Sequence, residues 1–162
     1  MKIIITGGKS ALALKMLKAF EQYEVVLADY GEMPNFSTAS CAFFSLGPPN
    51  EDTIAHTLLN SCLDAAVDMI LPLQVEEVIQ VAKANVLFSE FNIEVLLPSD
   101  IVRYTNPNLP KYEDWVVFKK GEVLFSTAAH AELFAFGKSA DLTGAFYFNV
   151  QNAVANLKLI TL

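Results

Sequence analysis

The stretch MKIIITGGKSALALKMLKAFEQYEVVLAD, Met1 to Asp29, decides the fold. Lys2 to Thr6 is a β-branched run and Gly7-Gly8-Lys9-Ser10 is a turn. Ala11 to Gln22 has helical apolar spacing, with Leu12, Met16 and Phe20 on one stripe and Leu14 and Leu17 beside it. Glu24 to Ala28 is a second β-branched run, closed by Asp29. Together they predict a β-α-β unit, which builds parallel sheets with a crossover helix. The turn also points to chemistry. A helix opening at Ser10 offers backbone N–H groups and the positive end of its dipole to an anion. Gly7 and Gly8 let a ligand approach the backbone, and Lys9 adds charge at the rim. Asp29 ends the second strand, where a nucleotide-binding fold often sets a carboxylate on a ribose hydroxyl.

Outward from this unit, Tyr30 to Ser40 is a loop by composition. Cys41 to Leu46 reads as a third strand, stopped by Gly47-Pro48-Pro49. Asn50 opens a helix to about Asp64, with Asn50 or Asp52 as cap and Ile54, Leu58, Leu59 and Cys62 as apolar face. Ala66 to Leu71 is a fourth strand, apolar enough to be buried on both sides, ending at Pro72. Gln74 to about Phe91 is a third helix, with Val75, Val78, Ile79, Ala82, Val86 and Leu87 inward. Ile93 to Leu97 is a fifth strand, ended by Pro98. This alternation over residues 1–100 predicts an α/β fold. It is a Rossmann-like doubly wound parallel sheet in the order 3-2-1-4-5, with right-handed crossovers.

Residues 101–162 break the alternation and predict a small α+β extension packed on the first domain. Ile101 to Asp114 holds Pro107 and Pro110 and reads as irregular. Trp115 to Phe118 and Glu122 to Phe125 flank Lys120-Gly121 as a hairpin. Thr127 to Phe136 reads as a helix with Thr127 as cap and Gly137 as stop. Gly144 to Val150 and Val154 to Ile160 read as two more strands.

With 53% of its 162 residues apolar and 18% charged, the chain is globular rather than disordered. Its mean hydropathy is positive, so apolar surface is expected to be covered by a partner or a second copy. A net charge of -7, without clustered Lys and Arg, argues against nucleic acid. No apolar run reaches a bilayer span, no secretory leader is evident, and Cys41 and Cys62 form no CxxC motif. A reduced cytoplasmic protein is the expectation.

Two stretches carry a family resemblance: Ile4 to Leu14 with Glu24 to Asp29, and Val67 to Val78 leading to Ile93 to Pro98. They resemble the N-terminal, pre-ATP-grasp domain of carbamoyl-phosphate-synthase-like ATP-grasp ligases, in which a strand, a proline and a Glu-Glu pair open the next helix. The resemblance covers about the first hundred residues. It implies a stand-alone binding module lacking the ATP-grasp domain, since residues 101–162 hold no Gly-rich loop and no late Glu-x-Asn motif. Ligase activity would then need a separate ATP-grasp subunit, with ATP as the implied cofactor. Thr6-Gly7-x-x-Ser10-x-x-Ala13 also resembles the glycine turn of extended short-chain dehydrogenases and epimerases, and Asp29 follows at the spacing of an NAD(P)-binding acid. The catalytic Tyr-x-x-x-Lys of that family is absent: Tyr104 is followed by Asn108 and Tyr112 by Val116.

The candidate ligand-binding residues are therefore Gly7, Gly8, Lys9, Ser10, Asp29, Gln74, Glu76 and Glu77. Each has a plainer account. The glycines also suit a tight β-α turn, Lys9 a solvated rim, Ser10 an N-cap and Asp29 a strand end. Glu76 and Glu77 lie in a helix's first turn, beyond the carboxyl end of the fourth strand, where open sheets bind ligands and where a carboxylate also favours the dipole. His56 and His130 have no acidic or thiol partner at ligand spacing, so no metal site is expected, and no catalytic residue is assigned. A homodimer remains a further reading, with the apolar segment Gly144 to Leu162 as interface through an exposed strand edge; Phe146→Lys should leave the dimer intact if the interface is elsewhere.

Overall fold

Val25 to Ala28 is buried on both faces, as are Ile3 to Ile5 and Met69 to Leu71. Strands with no wet face belong inside a parallel sheet. A computed structural model describes residues 1–162 and shows that sheet. The strands are β1 (Lys2–Ile5), β2 (Glu24–Asp29), β3 (Cys41–Ser45), β4 (Met69–Leu71) and β5 (Glu94–Val95), all parallel, in the order β3-β2-β1-β4-β5. The helices α1 (Ala11–Met16), α2 (Ile54–Asp64), α3 (Val75–Lys83) and α4 (Asn85–Glu90) connect them. The class is thus the expected Rossmann-like α/β arrangement. Met1–Val95 with Thr161–Leu162 forms one compact unit, and Leu96–Ile160 a second.

Several elements differ from their sequence reading, each for a local reason. The first helix stops as an α-helix at Met16 and continues as a 3-10 turn over Leu17–Phe20. With three residues per turn, Ala19 stands directly over Met16, and both are buried, as is Phe20. The fourth and fifth strands begin later than their apolar runs, because helix caps take the leading residues. After α2, Ala66 sits at positive φ while its N–H bonds Leu63 and the Val67 N–H bonds Cys62. After α4, Asn92 does the same, with the Asn92 N–H on Ser89 and the Ile93 N–H on Phe88. Both are Schellman caps.

The expected continuous third helix is two helices, broken at Ala84. Its inward face is also rotated. Val75, Ile79 and Val86 are 41%, 38% and 71% exposed, whereas Glu77, Val78, Val81 and Phe88 are buried. The face turns because Glu77 finds a polar partner inside.

In the second unit, β6 (Asp114–Lys119), β7 (Glu122–Ser126), β8 (Gly144–Gln151) and β9 (Val154–Leu159) form an antiparallel sheet in the order β7-β6-β8-β9. Ile101–Tyr104, expected to be irregular, is a short helix, α5, capped by Asp100. The next helix, α6, spans Ala131–Ser139, so neither Thr127 nor Gly137 delimits it. The Thr127 hydroxyl instead accepts from the Trp115 N–H at 3.0 Å and donates to Asp114 at 2.8 Å, closing the open end of the β6–β7 hairpin. Gly137 lies inside α6 because a Cβ there would stand 2.2 Å from the Phe118 ring; Asp141, at positive φ, takes the stop. Phe146 is fully buried in β8, between β6 and β9, and is not a surface residue.

Candidate functional site

The carboxyl ends of β1 and β4 flank the point where the strand order reverses. Open α/β sheets bind ligands in that crevice. Thr6 follows β1 directly and is fully buried. Its hydroxyl accepts from the Leu73 N–H at 2.8 Å and donates to Glu77 Oε2. Glu77 is 1% exposed, in the first turn of α3. Its other oxygen, Oε1, is buried without a hydrogen-bond partner. The Tyr30 hydroxyl and the Gln74 backbone N–H draw the carboxyl toward its charged form, as does Thr6, but neither of the first two meets Oε1 at full hydrogen-bond geometry. Burial is the larger effect, and it holds the Glu77 carboxyl above the usual carboxylate range. The Tyr30 phenol is pushed up in turn, by burial first and then by the Glu77 carboxyl.

The glycine turn is held mostly by its own chain. The Gly8 N–H donates to Ala28 O at 2.9 Å and the Ser10 N–H to Gly7 O at 2.9 Å. The Lys9 N–H donates to Asp29 Oδ2 at 3.1 Å, and the other Asp29 oxygen accepts from the Tyr30 N–H at 2.8 Å. Ser10 caps α1, its hydroxyl accepting from the Ala13 N–H at 3.0 Å. The Lys9 ammonium folds back onto the Tyr30 carbonyl. Gly8 is small for a packing reason, since a Cβ would lie 2.9 Å from the β2 backbone at Ala28 N. Gly7 adopts φ +65, and its bare face meets the Leu162 side chain.

Of the residues singled out in the sequence, Gly7, Gly8, Lys9, Ser10 and Asp29 form one interlocked turn. Gln74 and Glu77 lie on the neighbouring helix start. Glu76 is exposed and favours the α3 dipole from the surface. Thr6, Tyr30, Leu73 and Leu162 also belong to the site and were not singled out. Thr6 carried a signal, a hydroxyl at the end of an apolar strand. Leu162 carried none, being far away in sequence.

A separate cleft of about 270 Å³ opens near the amino ends of β2 and β3, lined by Leu17, Lys18, Phe20, Tyr23 and Cys41 among others. None of the candidate residues lines it. No group of three or more His, Cys, Asp or Glu gathers to hold a metal ion. No helix is long and apolar enough to cross a membrane.

No protein-family model and no curated protein matches the chain. Among solved structures, the chain is similar to a proposed epimerase from Burkholderia cenocepacia J2315, at 16% identity and a TM-score of 0.33. The match covers 86% of this chain and 47% of that one, so the chain spans about half the length of that protein.

Proposed function

We propose that this chain is a binding module of the pre-ATP-grasp kind, taking a nucleotide-like ligand over the carboxyl ends of β1, β2 and β4. The observation that carries the reading is the buried Glu77 carboxyl, with one oxygen unpartnered, at the point where strand order reverses. A purely structural carboxyl at a helix start would sit in water at no cost, as Glu76 does. In this reading Asp29 receives a ribose hydroxyl, Gln74 and Tyr30 orient the ligand, and Lys9 meets its anionic end. The ligase step of such a system would belong to an ATP-grasp partner. A second reading, an NAD(P)-binding protein, is favoured by one observation: Asp29 closes β2 beside the glycine turn.

Thermal unfolding with ATP, NAD, NADP or inorganic phosphate, each saturating, tests both. A ligand at ~100 times its dissociation constant should add about 2.7 kcal/mol of stability. A shift with ATP that weakens in Glu77→Gln supports the binding module. A shift with NAD or NADP that vanishes in Asp29→Ala moves the assignment to the dinucleotide. No shift with any of the four overturns both.

A further inference from the structure

We infer that Thr161–Leu162 is a strap that competes with ligand for the crevice between β1 and β4. The Leu162 N–H donates to Leu73 O at 2.7 Å, on the segment leaving β4. The Leu162 side chain lies on Gly7, on the turn leaving β1: its Cδ1 stands 2.3 Å from where a Cβ on Gly7 would be. One residue thus bridges both walls of the crevice. It also covers the bare glycine face by which a ligand would approach the turn.

The contact is shallow. Leu162 is 49% exposed, and its N–H is tied to Leu73 O while its side chain rests on Gly7. Half of Leu162 lies outside the fold and it belongs to no strand of the sheet, so the strap can lift without breaking a ladder bond. A ligand at the crevice then displaces Leu162, and its apparent affinity is its intrinsic affinity multiplied by the fraction of molecules with the strap open. This rests on the binding reading above, and adds that the chain regulates its own site.

The test compares wild type with Leu162→Ala, titrating each with ATP and with NAD by calorimetry. Removing the side chain should tighten binding of at least one nucleotide by about tenfold. In wild type, saturating nucleotide should strip hydrogen-exchange protection from the Leu162 amide. Equal affinities in the two proteins, with that amide still protected, would overturn the strap and leave the binding reading standing. Binding of neither nucleotide by either protein would overturn both.

Discussion

Thr6 and Glu77 are partners across 71 positions of sequence, the hydroxyl at the end of β1 donating to a carboxyl in the first turn of α3. Thr6 also accepts from the Leu73 N–H, so donor and acceptor point one way along the chain Leu73, Thr6, Glu77. Aligned hydrogen bonds of this kind polarise one another in a low-dielectric interior.

The Glu77 carboxyl should set a pH dependence of stability. Its folded value is raised, chiefly by burial, so the fold favours the neutral form. That contribution is fully present below the ordinary carboxylate range and is lost as pH rises through the raised value. Glu77→Gln keeps an acceptor for Thr6 and stays neutral. Urea unfolding across pH should therefore show the variant gaining on wild type as pH rises above the ordinary carboxylate range, until the folded Glu77 itself ionises. Parallel stability curves would mean that Glu77 is no harder to ionise in the fold than in the unfolded chain.

Gly137→Ala separates helix propensity from packing. Alanine favours a helix interior over glycine by about 1 kcal/mol. Here its Cβ would press on the Phe118 ring at 2.2 Å, and overpacking of that kind costs about 1–3 kcal/mol. The variant should therefore be less stable than wild type in urea. Adding Phe118→Leu should recover part of the loss, and a stabilised single variant would show that the ring has room to move.

The two cysteines should differ in reactivity. Cys62 is fully buried in α2 and burial pushes its thiol up to about 12, whereas Cys41 is half-buried on the edge strand β3. A thiol reagent should label Cys41 alone in the native protein and both after denaturation, because the thiolate is the reactive form. Labelling of both at similar rates without denaturant would place α2 among the segments that open easily.

Phe146 shows where a sequence pattern misleads about surface. Gly144 to Val150 and Val154 to Ile160 look alike as apolar strands, but pairing with both β6 and β9 makes β8 interior and leaves β9 at the edge. The same limit applies to Val75, Ile79 and Val86. Their spacing fits an inward helical stripe, yet Val75 and Ile79 face outward on the helix whose Glu77 carboxyl Thr6 takes inside, and Val86 lies beyond the break at Ala84, on α4. Periodicity records which side chains are apolar. It does not record that a buried hydroxyl, far off in sequence, will accept a charged-type residue.

By itself the sequence determined the sheet. β-branched runs alternating with amphipathic segments specify the elements through local periods of two and 3.6 residues and restrict a parallel sheet to a few orders, of which β3-β2-β1-β4-β5 is the one adopted. It also determined the Ser10 and Asn50 caps, because capping is a contact between near neighbours. Only the tertiary structure decided what fills the crevice. That Glu77 turns inward, that Tyr30 faces it and that Leu162 lies on Gly7 are contacts between distant segments. They are set by which groups find partners when the chain closes, and no local pattern encodes that.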